Sequence, residues 1–225
     1  MASTGGDNLS AVEIRSLGSS QSCLSRPDGS AVFTQGDTSV MAAVYGPGDV
    51  RPSKALMDKA TVSVVYKPKV GLAGVREKAL ERMIRNSCET VILTTLFPRS
   101  SVDIIVQEVQ DAGALLACSI NAACLAMINA GIPMKCTVAA SCCMMGKDGD
   151  FLADPTKQQL KDAECVLTAA VDSGAHNLVA STMQGSCSVE QYHKLVGMVQ
   201  KACEKVFDFY REAMERTLSK SGTNR

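Results

Sequence analysis

The sequence lacks the residue patterns of the common metal and nucleotide sites. It holds only two histidines, His176 and His193, and no Cys-X-X-Cys pair, which excludes the usual zinc sites and a Cys-His catalytic dyad. It also has no Gly-X-Gly-X-X-Gly and no phosphate loop ending in Gly-Lys-Ser or Gly-Lys-Thr, which excludes the familiar nucleotide-binding loops. We therefore expect no metal and no cofactor.

Long apolar runs and a secretion signal are missing as well. No segment approaches the roughly 18 consecutive apolar residues of a membrane span, and the N-terminus lacks the charged and apolar regions of a signal peptide. These absences predict a soluble chain that contacts no membrane and is not secreted. Most of the ten cysteines lie in apolar runs, so we interpret them as buried reduced thiols rather than as a disulfide framework.

Net charge is zero, but its distribution along the chain is uneven. Residues 51–100 hold ten Lys or Arg against four Asp or Glu, a net of +6, while residues 1–50 and 101–150 each have a net charge of −3. This asymmetry predicts one basic surface. Its candidate members are Lys67, Lys69, Arg76, Lys78, Arg82, Arg85 and Arg99.

Apolar residues make up 46% of the chain, enough for a sizeable core, and their periodicity predicts a layered α+β domain. A hairpin is predicted at 30–45, with further strands at 60–67, 102–109, 137–144, 151–153, 164–171 and 178–182. Helices are predicted at 75–96, 115–129 and 189–218, the second apolar nearly all round and the last long. The polar ends, residues 1–10 and 219–225, are expected to be loose.

Several short motifs occur in a distinctive order: Arg26-Pro-Asp-Gly29, Gly36-Asp-Thr-Ser-Val40, Leu96-Phe-Pro-Arg99 and Ala130-Gly-Ile-Pro-Met134. Taken singly, they are turns and helix ends. Taken together, they resemble the RNase PH family of phosphate-dependent exoribonucleases, from about Leu24 to the final helix, and most closely the RNase PH-like subunits of the exosome ring. The stretches 25–30, 114–118 and 206–211 resemble one particular subunit of that ring.

The resemblance implies an RNase PH-like fold with mixed sheets packed against helices. It divides the chain into a tail and first strand (1–20), two halves of the RNase PH domain (21–145 and 146–218) and a C-terminal tail (219–225). In active members of the family, inorganic phosphate attacks the terminal RNA linkage. The resemblance implies that a Gly-Thr-Arg-Thr type segment at a helix start holds this phosphate.

The matching segment here is Gly113-Ala114-Leu115-Leu116, in which methyl and isobutyl groups replace the hydroxyl and guanidinium donors. The family also carries two carboxylates six residues apart. Asp154 matches the first, whereas the second falls on Leu160; a small shift in register would substitute Asp162. We therefore expect a degenerate site with no catalytic residue, although Asp154 also suits a simple turn before Pro155.

Two other groups of residues have both a functional and a structural interpretation. Arg76 and Arg82 match positions with which the family grips RNA phosphates, and Arg99 lies just before the strand that leads to the lost phosphate site; a solvated surface is the alternative. Arg26 and Asp28 are interpreted as fold maintenance, Arg26 pairing with a carboxylate while the Gly36-Asp-Thr38 turn satisfies its own backbone.

The expected function is a non-catalytic subunit of a six-membered exosome ring. The resemblance implies neighbouring RNase PH-like subunits, RNA-binding cap subunits and single-stranded RNA as partners, and work in the nucleus, the nucleolus and the cytoplasm. The first alternative is a residual phosphorolytic or hydrolytic exoribonuclease that acts as a homodimer. The second is a free RNA-binding module.

Overall fold

The protein folds into two β-sheets and four α-helices within the residues that its structure, a computed structural model, describes. These are residues 13–51, 53, 55–147 and 149–223 of the 225, with only the backbone described for 220–223. Residues 1–10, predicted to be loose, lie outside these ranges. Within them, no helix has the length and apolar character needed to cross a bilayer.

The first sheet is mixed. Its strands are β1 (Leu17–Gln21), β2 (Gly29–Gln35), β3 (Thr38–Asp49), β4 (Thr61–Lys67) and β5 (Ser100–Gln110). They lie in the order β1-β2-β3-β5-β4, and only the β4–β5 pairing in this sheet is parallel. β2 and β3 form the predicted hairpin, in which Gln35 pairs with Thr38 across a tight turn. That turn needs the positive φ of 57° that Gly36 supplies.

The second sheet is antiparallel. Its strands are β6 (Val138–Gly146), β7 (Phe151–Ala153), β8 (Ala163–Asp172) and β9 (Leu178–Gly185), in the order β7-β6-β8-β9. All four were predicted with nearly these bounds. The predicted boundary between residues 145 and 146 falls one residue before the end of β6.

The helices are α1 (Val75–Val91), α2 (Leu115–Asn129), α3 (Gln159–Asp162) and α4 (Val189–Thr223). α2 lies in the middle of the molecule, packed against β2 and β3 on one side and β6 on the other. Residues 117–127 of α2 are all buried, which confirms its predicted all-round apolar packing. α4 covers the far face of the second sheet through β6 and β8.

Two predicted helix ends were wrong. α1 ends at Val91 rather than at Leu96, because Ile92 is extended (ψ 140°) and forms a β-bridge with Met134. The competing partner lay more than forty residues away along the chain and was invisible to local periodicity. The C-terminal tail was predicted from Ser219, yet α4 continues to Thr223, because extending an existing helix costs little compared with starting one.

A buried amide joins the three layers around α2. The Asn121 side chain donates to the Ala140 carbonyl at 3.0 Å, and its oxygen accepts from the Ala140 N–H at 2.8 Å and from the Tyr210 hydroxyl at 3.0 Å. Every polar atom of this buried amide is therefore used, as burial requires. The contacts fix α2, β6 and α4 relative to one another and so fix the start of α2.

Thiol reactivity offers a simple test of this core. Seven of the ten cysteines are buried, and burial raises the pKa of Cys142 to about 11 and of Cys118 to about 12. Because only thiolates react, the rise in pKa slows alkylation at pH 8 by about a hundredfold or more. We expect exposed Cys23 to be modified first and Cys118 and Cys142 only on unfolding, as followed by mass spectrometry. Rapid labelling of either one in the native chain would contradict this packing.

Candidate functional site

A cleft of about 440 Å³ opens where α1, the start of α2 and the second sheet meet. Its lining is mainly apolar, drawn from α1, α2, α3 and β8: Ala79, Leu80, Met83, Leu115, Leu116, Leu160 and Val166. Four charged side chains also line it: Arg76, Asp111, Lys157 and Lys161. The helix start that the resemblance assigns to phosphate therefore faces hydrocarbon, with cations nearby.

The approach to α2 is a tight loop with unusual backbone geometry. Gly113 has φ 117°, and a Cβ there would lie 2.6 Å from the Pro155 carbonyl oxygen and 2.8 Å from the Lys157 nitrogen. Ala114, which caps the helix, adopts the left-handed conformation with φ 54°. The 155–157 segment thus packs directly on Gly113, and the Lys157 N–H donates to the Ala112 carbonyl at 2.8 Å.

Thr38 of the Gly36-Asp-Thr-Ser-Val40 motif holds this loop from below. Its hydroxyl donates to the Gly113 carbonyl at 2.7 Å and accepts from the Ala112 N–H at 3.2 Å. The prediction that this turn satisfies its own backbone was therefore wrong for Thr38. Sequence separation explains the error, because the partner loop begins more than seventy residues later.

The first motif is structural in a different way from the one predicted. Asp28 accepts the Gly46 N–H at 2.8 Å, and the backbone of Gly29 approaches α2 so closely that a Cβ would lie 2.3 Å from the Ala130 nitrogen. Arg26, however, is exposed and pairs with no carboxylate among the described parts of the chain. The predicted ion pair of Arg26 was wrong, since its side chain stays in solvent.

Asp154 does not face the cleft. Its carboxylate is buried and receives both the Nε (2.8 Å) and a terminal nitrogen (2.5 Å) of Arg15, together with the Arg15 backbone N–H (3.1 Å). Arg15 also donates to the Gly113 carbonyl at 3.3 Å. Both oxygens are thus engaged in a bidentate ion pair that ties the segment before β1 to the second sheet.

The position that the resemblance gives to the second carboxylate holds Leu160, and Asp162 is not among the described residues that line the cleft. Within α3, Leu160 lines the cleft, whereas Asp162 lines a separate depression beside Lys147, Asp150 and Phe151. Two residues along a helix rotate the side-chain direction by about 200°, so Asp162 does not replace the carboxylate that the resemblance places at Leu160. The acid that does line the cleft is Asp111, which accepts from Lys157 Nζ at 2.7 Å and from the Gly113 N–H at 3.1 Å.

The three arginines predicted to bind RNA are not brought together. Arg76 lines the cleft with Leu80 and Met83 on one face of α1. Arg82 lies six residues later, about 120° around the helix axis, and is exposed. Arg99, also exposed, precedes β5 with φ 60°. The predicted basic surface is further reduced because Glu81 pairs with Lys78 at 2.9 Å.

Side chains that could act as nucleophiles or metal ligands are few around the cleft. Cys142 lines it, but burial raises the pKa of this thiol to about 11, so it is protonated near neutral pH. No group of three His, Cys, Asp or Glu side chains is placed to hold a metal ion in the described ranges. The cations that line the cleft are Arg76, Lys157 and Lys161.

Sequence reasoning missed three cationic residues. Lys157 and Lys161 lie close to Leu160 and follow Asp154, the predicted carboxylate position, so their nearness to that motif was the usable signal. Arg15 gave no signal, because a single arginine before a weak strand carries no pattern. Its partner Asp154 lies 139 residues away.

Comparison with known proteins identifies the family. The model of domain 1 of the 3′ exoribonuclease family matches residues 13–133, more than half of the chain. The chain belongs to the RNase PH family. A curated relative, the exosome complex exonuclease RRP46 homolog of Arabidopsis thaliana, is 34% identical over 227 aligned residues, covering 93% of this chain and 95% of the relative.

Solved structures agree with this RNase PH assignment. The crystal structure of rice (Oryza sativa) Rrp46 superposes with a TM-score of 0.86 at 32% identity, covering 90% of this chain and 96% of that one. A chain of the Archaeoglobus fulgidus exosome with RNA bound to the active site gives a TM-score of 0.77 at 18% identity, a likeness of fold alone. The predicted RNase PH-like fold and the predicted similarity to one exosome subunit are thereby confirmed.

Proposed function

We propose that this RNase PH chain is a non-catalytic structural and RNA-path subunit of an exosome ring. In this role it stands among other RNase PH-like subunits in a six-membered ring, beneath RNA-binding cap subunits. It supports 3′-to-5′ RNA processing and degradation that other subunits carry out. The compartments that go with this role are the nucleus, the nucleolus and the cytoplasm.

The observation that carries the proposal is the hydrocarbon at the start of α2. Leu115 and Leu116 line the cleft there with Leu160 opposite them, where the family's pattern has donors and a carboxylate. A charge-assisted hydrogen bond contributes about 1.5–3 kcal/mol, and losing one transition-state donor typically lowers the rate by a hundredfold to a thousandfold. Several donors are replaced, so phosphorolysis in this cleft falls to background.

The remaining carboxylate geometry supports the same proposal. Asp154 is held in a bidentate ion pair with Arg15, and Asp111 is paired with Lys157. Both carboxylates are paired, which opposes a role as general acid or base, and Asp111 is the one acid that lines the cleft among the described residues. Arg76 and Arg82 on α1 then contact the RNA backbone without cutting it.

The RNA-path part of the proposal predicts a salt-dependent signature. Each phosphate contact to single-stranded RNA contributes about 0.7 to the slope of log affinity against log salt concentration. We expect Arg76→Ala with Arg82→Ala to reduce this slope by about 1.4. Fluorescence anisotropy with labelled oligo(A) over a potassium chloride series measures the slope. The control pair Arg76→Lys and Arg82→Lys keeps both charges and keeps the slope; an unchanged slope in the alanine pair would assign both residues to a solvated surface.

A nuclease assay tests the non-catalytic part of the proposal. The full chain, alone and with its ring partners, is incubated with 3′-labelled single-stranded RNA with and without orthophosphate. The proposal expects no nucleoside diphosphate from this subunit. Phosphate-dependent release by the chain alone, eluting as a homodimer, would establish the residual exoribonuclease instead. Cleavage that needs no phosphate and elutes with the homodimer would establish a hydrolytic exoribonuclease.

A further inference from the structure

The cleft combines an apolar floor with cations that are not neutralised. Lys157 is paired with Asp111, but no carboxylate in the described parts of the chain pairs with Arg76 or Lys161, and both are exposed. With three cations and one acid, the lining carries a net charge of +2. An anionic ligand with an apolar part would complement both features.

Cleft size and shape suit side chains of a second protein. The volume of about 440 Å³ falls within the range of about 300–1,000 Å³ typical of binding pockets. Leu80, Leu115 and Leu116 pack against the core from below, so the floor is supported. Met83 adds a flexible wall that adapts to different apolar side chains.

The lining suits a peptide better than a nucleotide. No aromatic ring occurs among the described residues that line it, which offer no surface on which a base would stack. A phosphate placed on the floor would meet leucine methyl groups and lose its hydration without new hydrogen bonds. An aliphatic side chain in the same position gains from burial.

The cleft continues into a second depression and an exposed apolar loop. Arg76, Leu80, Asp111 and Leu115 line both cavities, and the second reaches Val70. The loop beyond holds Leu72, which is 97% exposed. Apolar surface of this kind commonly marks protein contacts. Glu77, Glu108 and Asp111 line this depression as well, against Lys69 and Arg76, so the part of a bound segment that covers this path is apolar rather than acidic.

We infer that this cleft is a docking pocket for an acidic segment of a partner protein that inserts aliphatic side chains. Leu115, Leu116 and Leu160 receive the aliphatic groups, and exposed Lys161 pairs with a flanking carboxylate. The inference rests on one part of the proposed function, the loss of phosphate binding in this cleft. It adds a ligand of a different class in the same place.

A set of matched peptides tests the pocket on the full chain. The probe is a fluorescein-labelled peptide of alternating glutamate and leucine, compared with alternating lysine and leucine and with alternating glutamate and serine. We expect the first to bind about tenfold or more tightly than either of the others, because each control removes one of the two complementary features. Equal binding of either control would overturn the inference.

Variants then place the binding in the cleft. Leu160 is half-exposed on α3, and Leu160→Asp is expected to lower the affinity for the glutamate–leucine peptide by about tenfold or more. Lys161 is exposed, and Lys161→Glu should lower this affinity by about threefold to tenfold. Lys194→Glu, on the surface of α4, should leave the affinity unchanged. Circular dichroism checks that each variant is folded. Unaltered affinity in both cleft variants would contradict the assignment.

Two competitors separate this inference from the proposed function. Orthophosphate should not displace the peptide, and oligo(A) should retain its affinity for the Leu160→Asp variant. If oligo(A) instead loses affinity as much as the peptide does, the cleft belongs to RNA and the inference fails. If no peptide binds and phosphorolysis is also absent, the inference fails while the proposed function stands.

Discussion

Replacing Asp154 by alanine is expected to destabilise the protein by about 3–5 kcal/mol, because it leaves the Arg15 guanidinium largely buried without its partner. The Arg15 side chain is 18% exposed and that of Asp154 fully buried. Total stability of such domains is about 5–15 kcal/mol, so the loss is a large share. Urea unfolding followed by circular dichroism measures it.

Asparagine provides the matched control at position 154. Asp154 has φ 52°, a conformation that asparagine tolerates better than alanine does. Asp154→Asn also keeps an oxygen that can accept from the Arg15 N–H, so it should lose less stability than Asp154→Ala. A double replacement of Arg15 and Asp154 by leucine should recover part of the loss. An Asp154→Ala variant as stable as the parent chain would contradict the structural role and reopen a chemical one.

Gly113→Ala is the second change expected to have a large effect, about 3 kcal/mol or more. The new Cβ would lie 2.6 Å from the Pro155 carbonyl oxygen and 2.8 Å from the Lys157 nitrogen, both backbone atoms that cannot swing away. Strain from φ 117° adds about 1–3 kcal/mol to an overpacking cost of about 1–3 kcal/mol. Thermal and urea unfolding measure the sum.

Gly131→Ala separates the two causes. Gly131 also has a positive φ, 70°, but a Cβ there meets nothing within 4 Å. This variant should lose only about 1 kcal/mol, the conformational part alone. Equal stability of the two glycine variants would contradict the packing of the 155–157 segment on Gly113. It would also contradict the position given to Lys157.

Local periodicity predicted most of the fold. The bounds of α2 and β7 were predicted to the residue, because α2 ends at a Gly-Ile-Pro sequence and β7 follows a turn. Errors arose where distant residues compete with local preference. Ile92 leaves α1 to bridge Met134, and short α3 was missed because four residues carry no helical period.

The site was predicted less completely, because its side chains pair with residues far away in the sequence. Leu115, Leu116 and Leu160 do line one cleft with Arg76, as motif matching implied. The role of Asp154 was not predictable from sequence alone, since its partner Arg15 lies far away and outside any motif. Whether Asp162 substitutes for the missing acid depended on the direction of its side chain, which only the three-dimensional structure gives.

The central claim is that the start of α2 no longer holds phosphate, and a titration with orthophosphate tests it most directly. Isothermal titration calorimetry on the full chain is compared with a Leu115→Arg variant, which restores a guanidinium at the cleft. The parent chain should show no saturable heat, and the variant should gain about tenfold or more in affinity, since one charge-assisted hydrogen bond contributes about 1.5–3 kcal/mol. Saturable phosphate binding by the parent chain that is lost in Leu115→Asp would place the anion at the start of α2 and contradict the account.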